Sequence, residues 1–570
     1  MVESHYGFRS KKLQNLHKKH PVIRIGPNSL SYGDAQAIKD IYGHNTKCIK
    51  DDQYNVTAGT HYHLADVIDK DEHARKRKVL SAAYALKNLE EWEFKVADKA
   101  SRLIKHFDSC ASIPGSTVDY RSWTNFFSLD AIADIGLSKR LGFLDQGHDR
   151  CLSERLDGQV MEVNFRDCLY AVSRAQSGIV WSYSWYKTLV KITKLVSPFY
   201  RGLWRLNDSW DGIVLHLMRE RLQRYKNGEK LDDFFQSLME DKNGKPQHLD
   251  FGEIYAEVSI MMNAGSTTTA IAMANVLYQL LRNPECLKKL RREIDGVVDT
   301  DEIVVSYDKI RHLPYLRACL DESLRLFPPT AHGLPRSTPE EGWLIRGEFI
   351  PGNTTVAVSA YVAHRDEKIF PDPETYKPER WLGEEGKALQ PYFVAFSAGA
   401  RGCIGRNISY LEQTVVLASV LHRSIMTKPD DKQLKDAIDW YFTNQEDPTD
   451  RATVTATACI FNVKINTLRK AIQRRLKPTK KATQSRGRSS FLKPHQIKAL
   501  RSHIKTQAYD NNPLNRAILL KVATFLHKDN TEPSIQWICN FLKANPEFHI
   551  ITTKPIEKER IQAQDKEVVK

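Results

Sequence analysis

From Asp71 to Ile303 apolar residues recur mostly at three- and four-residue spacing, as in "EHARKRKVLSAAY", "WTNFFSLDAIADIGL" and "GIVLHLMRERLQRY". That period predicts helices with one face turned to a core. The longest candidate runs from Glu253 to Leu281, 29 residues without proline, about 43 Å if fully helical. A further helix, "LPYLRACLDESLRLFPP", is stopped by Pro328 and Pro329. Strand patterns are short and few. "PVIRIGPNSLSY" (21–32) alternates and ends in turn residues, and "GEFIPGNTTVAVSAYVAHR" carries two brief runs around a Pro351-Gly352 turn. Residues 366–395 read as irregular. Residues 427–483 begin again with short basic helices, and "PTKKATQSRGRSS" (478–490) has linker composition. The pattern therefore predicts a mainly α domain with a minor β-sheet, followed by an all-α segment. A length of 570 residues agrees with two or more domains.

Charge sharpens that division. Of the net +15, residues 427–570 hold +12, from 27 basic and 15 acidic groups, and residues 451–509 contain 15 basic residues and no acidic one. Such a field fits either a surface for a polyanion or a solvated basic linker. The 9 cysteines are an odd number with no CxxC pair, which argues for a reducing compartment and against a disulfide framework or zinc cluster. No apolar run reaches the length of a bilayer span.

Two stretches carry candidate chemistry. "AGSTTTA" is a poor helix interior, because glycine and three threonines lower helix propensity. It marks either a distorted turn where a ligand approaches the backbone or a tight helix crossing that needs small residues. In "FSAGARGCIG" (396–405), Gly399, Gly402 and Gly405 allow a tight loop with free N–H groups, and a following helix would aim its N-terminus at Cys403. Both effects favour a thiolate, which serves as a nucleophile or as a metal ligand.

The same loop matches, at Phe396, Gly399, Arg401, Cys403 and Gly405, the FxxGxRxCxG haem-binding pattern, and the chain resembles the cytochrome P-450 superfamily. Other marks follow in order. "ESLR" resembles the ExxR pair (Glu322, Arg325), and "PERW" supplies Arg380, third member of a structural cluster. "AGSTTT" is similar to the distal-helix motif. "HARKR" looks like the helix whose His73 and Arg77 face a haem propionate, and "LPRS" places Arg336 at another propionate contact. "HRDEKIFPDPETYKPERWL" is similar to fungal members of the benzoate-hydroxylase-like branch. The resemblance implies haem b with Cys403 as axial thiolate, Arg401 at a propionate, and reductive activation of O₂ for hydroxylation of a small apolar or aromatic substrate. It implies Thr268 as the threonine that handles oxygen and protons, and NADPH acting through a flavoprotein reductase. The acidic residue the family places before that threonine is Thr267 here. The resemblance is expected to cover 1–426, without the membrane anchor and without the β-rich segment that follows His422-Arg423 in the family. "TAHGLP" (330–335) and 52–70 are expected to line the pocket.

After Thr427 the pattern changes. "TATACIFNVKINTLRKAIQRRL" has helix–turn–helix periodicity, with Asn462 at the turn. Asn466, Thr467 and Arg469 would open a recognition helix, with Lys470, Arg474 and Arg475 suited to phosphates. The stretch 427–483 resembles the pipsqueak-type helix–turn–helix of pogo/Tigger-like transposases, 484–555 their centromere-protein-B-type module, and 556–570 a tail. The expectation is a haem-thiolate monooxygenase with an appended DNA-binding region, cytoplasmic or, with DNA as partner, nuclear. Two alternatives stand beside it: a transposon-derived DNA-binding protein whose haem domain is inactive, and two neighbouring reading frames joined in one chain.

Overall fold

The structure is a computed structural model, and it describes residues 9–426 apart from 82, 86–89, 114–115, 181 and 300–301. Beyond these it describes 438–439, 441–442, 465–476 and the single positions 454, 457, 523, 533, 537 and 541. The chain divides into two compact units, Met1–Lys432 and Gln433–Lys570.

The first unit is mainly helical with small sheets. A five-stranded sheet has the order β1-β2-β9-β6-β3, built from β1 (Val22–Gly26), β2 (Ser29–Tyr32), β3 (Ile49–Lys50), β6 (Arg336–Ser337) and β9 (Thr355–Val358). The predicted pair at 21–32 is the antiparallel β1–β2 ribbon, and β2 runs parallel to β9, joining the two ends of the domain. Two hairpins stand apart, β4 (Arg150–Glu154) with β5 (Val160–Asn164), and β7 (Trp343–Ile345) with β8 (Glu348–Ile350).

The helices that shape the site are α1 (Lys70–Ser81), α2 (Glu93–Ala111), α3 (Tyr120–Leu137), α4 (Pro198–Lys226), α5 (Phe251–Arg282), α6 (Pro314–Leu326) and α7 (Arg406–Met426). Their ends follow local chemistry. Asp119 caps α3 and Asp250 caps α5, each accepting a backbone N–H three residues on, while Pro198 and Pro314 open α4 and α6. Residues 366–395, read as irregular, include a short helix, Gly383–Leu389. Its two glycines, and apolar residues only at Ala388 and Leu389, give no helical period.

At 32 residues α5 is the longest helix described, about 48 Å, and it runs unbroken through "AGSTTTA". The small residues there serve a close crossing. A Cβ on Gly265 would meet Ile132 of α3 at 2.7 Å, and one on Gly136 of α3 would meet Met261 of α5 at 2.2 Å. The two glycines let α3 and α5 approach beyond what Ala would permit, so the crossing, not a distorted turn, explains the motif's poor propensity. The main core gathers around it, with Phe127, Phe143, Phe165, Val214, Phe235, Val258 and Met262 all buried. Among the described residues no helix is long and apolar enough to cross a membrane.

Glu412 on α7 is fully buried, and neither of its carboxyl oxygens has a hydrogen-bond partner among the described residues. Burial raises its pKa well above the ordinary carboxyl range. The folded state keeps a proton that the unfolded chain releases above about pH 4.3, so this group's contribution falls as pH rises. Glu412→Gln, which copies the shape of the neutral acid, is expected to melt near the wild type at about pH 5 and several degrees above it at about pH 8. Thermal unfolding at both values checks this.

Candidate functional site

The cysteine loop is held from behind by one buried carboxylate. Glu322, on α6, accepts two bonds from Arg325 (2.8 Å each), one from Arg380 (3.1 Å), one from the Trp381 indole (2.9 Å) and one from the Lys377 N–H (2.9 Å). Both Glu322 and Arg325 are fully buried. Arg325 also donates to the carbonyls of His364 (2.8 Å) and Pro373 (2.7 Å). The i, i+3 spacing of Glu322 and Arg325 puts them on one helical face; Arg380 arrives from a 3₁₀ turn, Pro378–Trp381.

His364 connects this cluster to the loop. Its Nδ1 lies 3.1 Å from the Arg325 carbonyl, and its Nε2 accepts the Val394 N–H at 2.9 Å. Those partners require a neutral ring protonated on Nδ1, and burial accordingly lowers its pKa to about 3. The ring stacks on Phe393, at the head of the loop. Nothing in the local sequence marks this histidine; its role comes from a contact between residues 30 positions apart.

The loop itself turns tightly. Gly399 has φ +65°, and a Cβ there would strike the Tyr42 carbonyl at 2.2 Å. The Cys403 N–H donates to Phe396 O (2.9 Å), and Arg77 donates to Gly402 O (2.8 Å). Cys403 lies deep in the fold yet its side chain is exposed, because it faces a cavity of about 420 Å³. Burial pushes the thiol pKa up, opposed by the N–H groups of Gly405 and Arg406 at the start of α7 and by the charges of Arg77 and Arg406. A cation against the sulfur would hold it as the thiolate, which is what a metal supplies.

Opposite the cysteine the cavity is walled by α5. Ala264 and Thr268, one turn apart in a core helix, are both exposed because they look into it. The Thr268 hydroxyl donates to Ala264 O at 2.9 Å, leaving its lone pairs to accept. Ile132, Phe234, Ile260, Met261, Leu334 and Val358 make most of the wall apolar. Tyr54, Leu64 and Ala65 from 52–70, and Thr330 and Leu334 from 330–335, line it too.

One side differs sharply. Lys50, His73, Arg77, Arg336 and Arg401 all border the cavity. Arg401 donates to the carbonyls of Val67 (2.5 Å), Ile68 (2.7 Å) and Asp69 (3.2 Å), and Arg336 to Pro335 O (2.9 Å). Among the described residues, Lys50, Arg77, Arg336 and Arg401 find carbonyls or hydroxyls as partners and form no ion pair with a carboxylate. Burial, then the nearby charges of Arg401, Lys50 and Arg77, lowers His73 to about 3, so it is neutral. Burial and the repulsion of Arg336 lower Arg401 to about 10. Buried like charges without a counter-ion are costly. A group carrying two carboxylates and a metal, as haem does, answers both needs, and the donor set fits it.

Two bordering residues escaped sequence reasoning. Lys50 sits in an unremarkable strand, and Glu257 lies three turns before Thr268. Glu257 is buried, accepts from Leu64 N (3.0 Å) and Lys76 Nζ (3.2 Å), and ties α5 to α1 and to the segment that precedes α1.

In the second unit a helix spans Ile465–Leu476, with Leu468 and Ile472 buried beside Ile438, Tyr441, Phe442 and Val454. Arg469 is exposed. Arg475, expected to meet phosphates, pairs with Asp439 and lies over the Phe442 ring. The side chains of Asn466, Thr467, Lys470 and Arg474, the turn at Asn462 and nearly all of 484–570 lie outside the described residues.

Removing the central carboxylate would leave two buried guanidinium groups unbalanced. Glu322→Ala is expected to cost about 3–5 kcal/mol of stability, read from urea unfolding.

The sequence is also similar to known proteins. The family model described as cytochrome P450 matches residues 4–450, running past Thr427. The chain is 29% identical to the cytochrome P450 monooxygenase FCK2 of Fusarium pseudograminearum, over 72% of this chain and 70% of that one. It is 31% identical to the cytochrome P450 monooxygenase efuB of Hormonema carpetanum, over 71% and 78%. Benzoate 4-monooxygenase bphA of Aspergillus niger is 28% identical, over 74% and 83%.

Proposed function

This chain belongs to the cytochrome P450 family, and we propose that it acts as a haem-thiolate monooxygenase on a small apolar or aromatic substrate. One observation carries the reading: Cys403 faces a cavity of about 420 Å³ whose opposite wall is apolar and whose border holds cations with no acidic partner among the described residues. The volume lies within the range of small-molecule sites.

In this reading Cys403 would bind the haem iron, and the metal together with the N–H groups of Gly405 and Arg406 would keep its sulfur anionic. Arg77, Arg336 and Arg401 would take the carboxylates of the haem, and neutral His73 would add an uncharged N–H. When bound, the haem supplies reductive activation of O₂: one oxygen atom enters a substrate C–H bond and the other leaves as water, with two electrons and two protons consumed. The electrons come from NADPH through a flavoprotein reductase. Thr268 presents its hydroxyl oxygen to the cavity and holds its own proton against Ala264 O. The apolar wall around Ile132, Phe234 and Met261 selects a ring or hydrocarbon and keeps out bulk water. The Aspergillus niger relative is a benzoate 4-monooxygenase, which supports an aromatic substrate.

The test is the carbon monoxide difference spectrum of the reduced full-length protein. The wild type is expected to show the thiolate-type Soret band, and Cys403→Ala to lose it. A purified wild type that takes up no haem under reconstitution would sink the oxygenase reading.

A second proposal concerns the C-terminal unit, which would contact DNA through the helix Ile465–Leu476. What supports it is a helix standing where the sequence expects one, with an apolar side packed and Arg469 exposed. Binding of the full chain to duplex DNA is expected to weaken steeply with salt, with a log–log slope of about −0.9 per phosphate neutralised. Binding that does not respond to salt would remove the proposal.

A further inference from the structure

Lys50 lies outside the set of haem contacts that the family resemblance assigns, and its surroundings ask for an explanation. It stands on β3 directly opposite Arg336 on β6. Residues paired this way across antiparallel strands project from the same face with Cβ atoms about 4.5–5.5 Å apart. Lys50 and Arg336 are 7% and 4% exposed, and both border the cavity. Two like charges side by side on one face are unfavourable, and more so when buried.

Among the described residues, what surrounds the pair offers no full counter-ion. Lys50 Nζ donates to Ala65 O and lies 4.6 Å from the centre of the Tyr54 ring. Arg336 Nη1 reaches the Tyr54 hydroxyl at 3.4 Å. Arg401 comes from the cysteine loop and His73 from α1, and the first adds positive charge. Asp66 is the nearby acid. Its Oδ2 faces His63 at 3.3 Å and its Oδ1 has no partner among the described residues. Burial pushes Asp66 up to about 7, so it is only partly ionised at neutral pH. Burial, then Arg336 and Arg401, brings Lys50 down to about 7.

We propose that Lys50 is a carboxylate-binding residue of the cavity, gripping with Arg336 one carboxylate of the haem. The inference rests on the haem reading above. An anion between two buried cations turns their mutual repulsion into two charge-assisted hydrogen bonds. Its arrival also raises the pKa of Lys50, so above about pH 7 haem binding takes up a proton and affinity falls as pH rises.

The experiment loads the full-length protein with haem and follows its transfer to excess apomyoglobin for wild type, Lys50→Met and Lys50→Arg. Thermal melting of the three apoproteins is measured alongside. Lys50→Met is expected to lose haem faster by on the order of tenfold, to lose the weakening of haem retention above about pH 7, and to melt no lower than wild type as apoprotein. Lys50→Arg is expected to restore retention. Equal haem loss in wild type and Lys50→Met overturns the proposal and leaves the haem reading standing. A lower-melting Lys50→Met apoprotein, with retention not restored by Lys50→Arg, assigns Lys50 to holding Ala65 in place and also overturns it. Failure of the wild type to take up haem sinks the proposal together with the reading beneath it.

Discussion

Glu322 is the constraint on which the rest of the site depends. A carboxylate with no access to water must have its charge met by donors, and here five N–H bonds converge on it from α6, from the 3₁₀ turn at 378–381 and from the backbone at 377. Meeting that requirement fixes the path of a segment that is otherwise turn-rich. Arg325 then passes the constraint to His364 through a carbonyl, and His364 passes it to Val394 through a ring nitrogen. Cys403 is therefore aimed by a chain of satisfied buried polar groups that begins on a helix 81 residues earlier. Such networks specify one arrangement because every partial version leaves an unpaired group in a low-dielectric interior.

The opposite wall is set by packing. Gly136 and Gly265 bring α3 and α5 close enough that the middle of α5 lies along the cavity without a break in its hydrogen bonding. The same close crossing leaves Ala264 and Thr268 uncovered on the inner face. One side of the cavity is thus apolar and shaped by helix contact. Another is cationic and shaped by a strand pair, α1 and the cysteine loop. The site owes its electrostatic character to the segregation of basic side chains from acids, since Lys76 is paired with Glu253 and Glu257 while its neighbour Arg77 has no acidic partner among the described residues.

Much of this was readable along the chain. The β1–β2 ribbon, the long α5 and the proline-stopped α6 follow from period and punctuation, which are local properties. The cysteine loop is legible because its glycines, arginine and cysteine lie within ten residues. His364, Lys50 and Glu257 were not legible. Each is an ordinary residue in its own segment and acquires a role from a partner on another element: His364 from Val394, Lys50 from Arg336 and Glu257 from Lys76. The poor helix propensity of "AGSTTTA" is a local property, but its cause lies in the contacts of Gly265 with Ile132 and of Gly136 with Met261.

By itself, then, the amino-acid order determined the mainly α character, the minor sheet and a glycine-framed cysteine suited to act as a thiolate, because periodicity, capping and loop composition act over a few residues. Tertiary structure alone decided which cations share a wall, that no carboxylate among the described residues pairs with them, and that a neutral His364 links Glu322 to the cysteine loop. Those facts depend on burial and on pairing between distant segments, as in the register that sets Lys50 against Arg336, and no local pattern encodes them.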